Sequence, residues 1–95
     1  MMRMSSRFLE SLFEIVKGRR DKPSDSSYTS RLIAGGLQEV VAKFGEESSE
    51  LIAAACGQGD VVGEAADVIF HLMVVLAVKN AEFSDVLREL ERRRR

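Results

Sequence analysis

Residues 68–78 constrain the fold more than any other segment, because a helix formed here is apolar on nearly every side. His71 is the one polar residue of the segment. A helix that is apolar all round has to be buried all round, and a chain of 95 residues has few elements with which to wrap it. We therefore expect a second copy of the chain to pack against this helix, most simply in a two-fold homodimer. The segment itself is too short to span a bilayer.

The rest of the sequence predicts an all-α fold. Apolar residues recur at helical spacing along nearly the whole chain, and no strand-like alternation bounded by turns occurs. Helices are predicted over about residues 7–17, from a cap at Ser26 or Ser27 to Gly35-Gly36, over residues 37–56, over residues 61–79 after a cap at Asp60, and from a cap at Ser84 into the terminal arginines. The prediction is a single domain over residues 1–95, a bundle of about five helices completed by homodimerisation. Residues 1–6 and 93–95 are expected to fray.

Composition narrows the class of protein. The formal net charge of -1 gives no general case for a nucleic-acid or membrane partner. The first six residues lack an apolar stretch long enough for a secretion signal, so we expect a cytoplasmic protein. The single cysteine, Cys56, has no partner for an internal disulfide and lies among small apolar residues. It is expected to be reduced and buried.

Two acidic pairs, Glu47/Glu50 and Glu64/Asp67, carry the chemical signal, and Glu46 stands beside the first pair. Each pair has i, i+3 spacing, so both of its carboxylates project from one helix face. If the two helices pack antiparallel, the pairs converge in apolar surroundings. Converging carboxylates repel one another, and a divalent cation relieves that repulsion. Oxygen ligands without a cysteine pattern favour Mg²⁺, with Mn²⁺ as the alternative, and such sites usually serve phosphate chemistry.

The helical wheel groups further residues with these acids. At about 100° per residue, one arc of the third helix holds four side chains: Lys43, Glu46, Glu47 and Glu50. A stripe of the fourth helix holds Glu64, Asp67 and His71. Solvated helix faces have the same spacing, so a surface of unbound acids remains an alternative. His71 is either a core residue or the donor of a hydrogen bond to a metal-holding carboxylate. Gly45, inside a helix, indicates either a close approach of another backbone or ligand or a tolerated weak spot.

Three motifs follow one another along the chain. They are Ser27-Tyr28-Thr29 with Arg31-Leu32, Lys43-Phe44-Gly45-Glu46-Glu47-x-x-Glu50, and Glu64-Ala65-Ala66-Asp67-x-x-x-His71-Leu72. Together they resemble the phosphoribosyl-ATP pyrophosphohydrolases of the second step of histidine biosynthesis, members of the MazG-like all-α nucleotide pyrophosphatases. The resemblance covers about residues 8–92. The acidic pairs alone would specify only the superfamily, and the other residues of the motifs point to the narrower family.

The resemblance implies a function and a site. The chain would hydrolyse the α–β phosphoanhydride of phosphoribosyl-ATP to phosphoribosyl-AMP and pyrophosphate, as a Mg²⁺-dependent homodimer. The implied metal ligands are Glu47, Glu50, Glu64 and Asp67, with Glu46 as a further acidic contributor. Glu46 or Glu47 would act as the base that activates water.

Other residues of the motifs would bind the nucleotide substrate. Lys43 and Arg31 are candidates for phosphate contact. The resemblance adds Tyr28 and Thr29 as substrate-binding residues.

The chain departs from the family pattern at Gly63, where asparagine is usual, and at Gly35, near which a lysine is common. One basic contact to phosphate is therefore in question.

Two rival functions stay open: a general nucleoside triphosphate pyrophosphatase with the same metal site, and a non-catalytic helical dimer with surface acids. The Ser27-Tyr28-Thr29 segment argues against the first. The second predicts that Mg²⁺ neither binds nor stabilises the fold.

Overall fold

The fold consists of five α-helices without a strand in the residues that the structure describes. The computed structural model describes the backbone of residues 2–94 and the side chains of residues 7–94. The helices are α1 (Met2–Asp21), α2 (Tyr28–Ala34), α3 (Leu37–Cys56), α4 (Val61–Val78) and α5 (Phe83–Arg92). The predicted all-α class is confirmed. Residues 1 and 95 lie outside the described part, and the predicted fraying of both ends stays a prediction.

Local sequence explains where the middle helices begin and end. Ser27 caps α2 by accepting a hydrogen bond from the Ser30 amide, and Asp60 caps α4 by accepting one from the Gly63 amide. Gly36 precedes α3 with φ 92°, a conformation that a residue with a Cβ rarely adopts. Asn80 has φ 58° and follows the end of α4, and this left-handed conformation is typical of a residue just past a helix end.

The structure differs from the prediction at both ends of the first helix and at the start of the last one. The first helix does not stop at residue 17 but runs through Gly18 to Asp21, and its start lies at Met2. Gly18 therefore does not end the helix. A Cβ at this position would meet nothing within 4 Å, so no close contact requires a glycine here. Ser84 does not cap α5, because the helix already begins at Phe83 with Glu82 at the cap position. The Glu82 carboxylate accepts hydrogen bonds from Lys17 Nζ at 3.0 and 3.2 Å, which tie α5 to α1.

The core lies at one end of an α3–α4 hairpin, where α1, α2 and α5 close over it. Its buried residues are Phe13, Val16, Val40, Met73, Val74, Ala77 and Phe83. Arg20 fastens this end, since its Nη1 donates to the Ala77 main-chain oxygen at 2.7 Å and satisfies a carbonyl of the last turn of α4. The C-terminal half of α4 is therefore packed as its sequence predicts.

The other end of the hairpin is left bare. Ile52 on α3 and Val62 on α4 are 64% and 80% exposed. Cys56, at the end of α3, is exposed, so its predicted burial is wrong within the single chain. A side chain at Gly45 would meet nothing within 4 Å, so the chain itself makes no close approach there.

The whole of α4 is longer than the apolar segment 68–78 that ends it. Among the described residues, it is the one helix long and apolar enough to cross a membrane, with a mean hydropathy of 2.0, and 22% of it is buried. It carries Glu64 and Asp67 in its first two turns and packs against α3 and α1. Carboxylates are costly at bilayer depth, so α4 fits the core of a helical bundle better than a membrane span.

Candidate active site

Three carboxylates from the two hairpin helices meet at one place. Single carboxylate oxygens of Glu47, Glu64 and Asp67 all lie within 4.8 Å of one another. Glu47 comes from the middle of α3, and the other two lie one turn apart near the start of α4. The short connection between the helices makes them antiparallel, so the convergence predicted from the two acidic pairs is present for these three residues.

Among the residues that the structure describes, Glu64 has a buried side-chain oxygen that lacks a hydrogen bond. Its Oε1 atom is buried and has no hydrogen-bond partner. Desolvation raises the pKa of its carboxyl above the ordinary value of 4.5, and the negative charges of Glu50, Asp67 and Glu47 raise it further. A buried, unpartnered carboxylate oxygen beside two further carboxylates is an arrangement that a cation would satisfy.

Lys43 is the cation that the chain itself supplies next to this group. Its ammonium lies 3.0 Å from Glu46 Oε1 and 3.6 Å from Glu47 Oε2, both one turn further along α3. The hydrogen bond to Glu46 is the largest cause that raises the pKa of Lys43, so the lysine stays charged. Glu47 is 7% exposed, whereas Glu46 is exposed at the edge of the group.

Glu50 lies close to the three carboxylates but not among them. It is exposed on α3, one turn after Glu47, and its charge is the largest electrostatic contribution to the raised pKa of Glu64. Its predicted part as a metal ligand therefore requires its side chain to move towards Glu64.

His71 is buried behind the acidic group, in contact with Tyr28 of α2. Its Nδ1 is 2.7 Å from the main-chain oxygen of Asp67, and its Nε2 is 2.9 Å from the Tyr28 hydroxyl. The hydrogen bond to Asp67 thus goes to the main chain and not to a carboxylate, and of the two alternatives for His71 the buried core residue agrees with the structure. Burial of the phenol is the main cause that raises the pKa of Tyr28, and the charges of Glu47, Glu46 and Asp67 add to it while Lys43 opposes it.

Two of the predicted substrate-binding residues, Tyr28 and Arg31, line a pocket beside α2. The pocket has a volume of about 380 Å³ and is lined by Tyr28, Arg31, Leu32, Gly35 and Glu39. Arg31 is exposed, and its Nη1 donates to the main-chain oxygen of Asp25 at 3.0 Å. Thr29 is buried beneath α2 and does not face this pocket.

Glu39 is a lining residue that the sequence argument missed. It lies four residues before Lys43, on the same arc of α3, so the helical wheel carried the signal. A Cβ at Gly35 would lie 2.8 Å from Glu39 Cγ, which shows how closely the end of α2 approaches the methylene part of this side chain.

The donor set decides which cation the acidic group fits. All three converging ligand atoms are carboxylate oxygens, and the only cysteine and histidine do not belong to the group. A set of oxygen ligands without cysteine or histidine favours Mg²⁺ or Mn²⁺ over Zn²⁺ or copper. With the unpartnered oxygen of Glu64, the residues present fit a hard divalent cation.

Comparison of the sequence with known proteins identifies the family of the chain. Residues 9–94 match the family described as phosphoribosyl-ATP pyrophosphohydrolase. The chain belongs to this family. A phosphoribosyl-ATP pyrophosphatase of Ignicoccus hospitalis is 45% identical over 92 residues, which cover 95% of this chain and 90% of that protein.

Two further relatives extend the comparison. A phosphoribosyl-ATP pyrophosphatase of Pyrobaculum calidifontis is 45% identical over 92 residues, which cover 95% of this chain and 98% of that protein. The histidine biosynthesis bifunctional protein HisIE of Nostoc is 41% identical over 90 residues, which span 41% of its length. The family to which the three sequence motifs pointed is confirmed.

Proposed function

We propose that this chain hydrolyses the α–β phosphoanhydride of phosphoribosyl-ATP to phosphoribosyl-AMP and pyrophosphate, in the second step of histidine biosynthesis. The observation that carries the proposal is the convergence of Glu47, Glu64 and Asp67 within 4.8 Å in a member of this family. Relatives that align along nearly the whole chain bear the name of that activity.

Glu47, Glu64 and Asp67 would hold Mg²⁺ or Mn²⁺, and Glu50 would join them from the next turn of α3. When bound, the cation neutralises the triphosphate and stabilises the charge that develops on the leaving pyrophosphate. The carboxylates themselves fix its position, because they project from two packed helices and not from loops.

Of the two candidate bases, Glu46 and Glu47, we propose Glu46 for the attacking water. It is exposed beside the acidic group, whereas Glu47 is buried and committed to it. In the proposed step the water oxygen bonds to the α-phosphorus, Glu46 takes the proton, and the bond from the α-phosphorus to the bridging oxygen breaks. The bonding electrons leave with pyrophosphate. Lys43, which now pairs with Glu46, is placed to contact phosphate oxygens.

A product assay tests this function. Purified protein is incubated with phosphoribosyl-ATP or with each common nucleoside triphosphate, with Mg²⁺ or with a chelator. We expect phosphoribosyl-AMP and pyrophosphate to form from phosphoribosyl-ATP in the presence of Mg²⁺ and not in the presence of the chelator. The other nucleotides should be hydrolysed far more slowly. Equal rates on ordinary nucleoside triphosphates would instead favour a general pyrophosphatase.

We also propose that the enzyme works in the cytoplasm, because its charged nucleotide substrate does not cross membranes unaided.

The working form in this proposal is a homodimer. The support is the bare end of the hairpin, where Ile52, Val62 and Ile69 expose apolar side chains in a protein whose α4 sequence calls for burial. Replacing Val62 with glutamate should dissociate the dimer while leaving each monomer folded, because Val62 contacts little within its own chain. Leu90→Glu, at a comparably exposed position of α5, is the matched control. Sedimentation that finds wild-type monomers at micromolar concentration would refute the dimer.

A further inference from the structure

The pocket between α2 and α3 has opposite charges on its walls. They are Arg31 of α2 and Glu39 in the first turn of α3, and the volume of about 380 Å³ lies within the range of small-molecule sites. Both side chains are exposed, and within the part of the chain that the structure describes neither belongs to a salt bridge. The pocket therefore suits a ligand that brings both an anion and hydrogen-bond donors.

Arg31 is oriented by one hydrogen bond and keeps further donors for a ligand. Its Nη1 donates to the main-chain oxygen of Asp25 at 3.0 Å, and a guanidinium has five N–H donors in a planar fork. That fork matches two oxygens of a phosphate group, and the positive charge strengthens both hydrogen bonds. Arg31 thus fits the phosphate of a ligand better than a neutral sugar or base.

Glu39 offers the opposite chemistry from the other wall. The end of α2 lies close to its side chain, since a Cβ at Gly35 would be 2.8 Å from Glu39 Cγ. An ionised carboxylate accepts hydrogen bonds and donates none, so it pairs with hydroxyl groups and repels phosphate. One wall therefore suits an anion and the other suits hydroxyls. A phosphorylated ribose has both of these functional groups.

The pocket adjoins the acidic group along α3. Glu39, Lys43 and Glu47 are spaced four residues apart, so they lie on one side of the helix with about 6 Å of rise between neighbours. Tyr28 lines the pocket, and its hydroxyl is 2.9 Å from Nε2 of His71 on α4. A ligand that extends from the pocket past Tyr28 towards Lys43 thus reaches the acidic residues.

Phosphoribosyl-ATP has its functional groups in a matching order. Its triphosphate is followed by a ribose, by adenine and, on a ring nitrogen of the adenine, by a second ribose with its own phosphate. This phosphoribosyl group is what distinguishes the substrate from ATP. With the triphosphate at Lys43 and the acidic group, the phosphoribosyl group is the opposite end of the molecule, beyond the adenine.

We propose that the pocket between α2 and α3 binds this phosphoribosyl group, with Arg31 donating to its phosphate and Glu39 accepting from its ribose hydroxyls. Arg31 and Glu39 are then specificity-determining residues, because they recognise the part of the substrate that ATP lacks. Tyr28 lies between the two ends, beside the adenine. The inference rests on the proposed function, since it assigns one end of that substrate to one pocket.

The binding of phosphoribosyl-AMP and of AMP tests the assignment of Arg31, because AMP lacks the phosphoribosyl group. Titration calorimetry with Mg²⁺ measures both affinities, and the wild type should bind phosphoribosyl-AMP more tightly. Arg31→Gln should weaken binding of phosphoribosyl-AMP about tenfold or more, the effect of losing a charged hydrogen bond, and leave the affinity for AMP unchanged. Arg88→Gln removes the same charge on α5, outside the pocket, and should change neither affinity.

Glu39→Ala tests the other wall independently. It removes the acceptor for the ribose hydroxyls, so binding of phosphoribosyl-AMP should weaken about two- to tenfold while AMP binding stays the same. Gln38→Ala, at the preceding exposed position outside the pocket, is the matched control. Tighter binding of phosphoribosyl-AMP by Glu39→Ala would mean that the carboxylate faces the phosphate, and it would contradict the role given to Glu39.

Equal weakening of both nucleotides by Arg31→Gln would mean that Arg31 contacts the AMP part or supports the fold, and it would overturn the inference. So would unchanged binding of phosphoribosyl-AMP. In kinetics, Arg31→Gln should raise KM for phosphoribosyl-ATP with little change in kcat, and a fall in kcat alone would contradict a role in recognition. Failure of the proposed function would look different, because the wild type itself would then not hydrolyse phosphoribosyl-ATP.

Discussion

The two halves of α4 have different surroundings. In the C-terminal half, Met73, Val74 and Ala77 are fully buried against α1 and α3. In the N-terminal half, Val62 and Ile69 face outwards while Glu64 and Asp67 turn towards α3. One half therefore holds the fold together, and the other presents acidic residues on one face and an apolar surface on another.

The largest effect is expected at Glu64. Glu64→Gln keeps the shape of the side chain but removes a charge from the acidic group, and we expect kcat/KM to fall about a hundredfold or more. The fold should remain, since the variant loses a carboxylate that is desolvated and repelled. Glu50→Gln, outside the group of three, should have a smaller effect. Retention of more than about a tenth of the activity by Glu64→Gln would contradict the ligand assignment.

The packed half predicts a stability effect that the bare half does not. Met73→Ala should lower the free energy of unfolding by about 2–5 kcal/mol, because it leaves a cavity in the core. Val62→Ala, at the exposed end, should change the stability of the monomer by less than about 0.5 kcal/mol. Urea titrations at low protein concentration measure both. Similar losses at both positions would mean that the halves of α4 are not packed differently.

The pKa of Glu64 predicts an unusual pH dependence for the metal-free protein. Its folded-state pKa is raised above 4.5, so the folded protein binds this proton at higher pH than the unfolded chain does. The contribution to stability is thus fully present below the unfolded pKa and is lost as the pH rises through the folded pKa. The stability of Glu64→Gln relative to wild type should increase over that pH range and then level off. Thermal unfolding with a chelator checks this, and a relative stability independent of pH would contradict it.

The smallest effect is expected at Gly45, on the exposed side of α3. Gly45→Ala should stabilise the monomer by up to about 1 kcal/mol, because alanine is the better helix former and nothing within the chain obstructs its Cβ. If the second subunit packs closely against Gly45, the same change should weaken the dimer. Sedimentation and urea unfolding of the variant separate these outcomes. A destabilised monomer would mean that this side of α3 is not open within the chain.

The sequence predicted elements whose boundaries have a local cause. The bounds of α3 and the caps at Ser27 and Asp60 agree with the structure because glycines and capping side chains act within a few residues. Local signals failed at Gly18 and Ser84. Helix α1 continues through Gly18. Helix α5 begins one residue before Ser84, where Phe83 is buried and Glu82 pairs with Lys17.

The site could be predicted only in part for a related reason. The i, i+3 spacing identified Glu47, Glu64 and Asp67, which need only two helices to meet. The exposure of Cys56 and the bond from His71 to a main-chain carbonyl depend on where α1 and α2 stop and how the rings pack. Sequence periodicity does not contain that information.

The central claim is that the acidic residues of the α3–α4 hairpin hold a divalent cation, and thermal unfolding with Mg²⁺ and pyrophosphate tests it most directly. Binding to the folded state at a hundredfold excess over the dissociation constant should add about 2.7 kcal/mol to the stability. We predict that Mg²⁺ with pyrophosphate raises the Tm of the wild type and that Glu64→Gln loses most of this increase. A wild-type Tm unchanged by millimolar Mg²⁺, with or without pyrophosphate, would contradict the account, as would an equal increase in the variant.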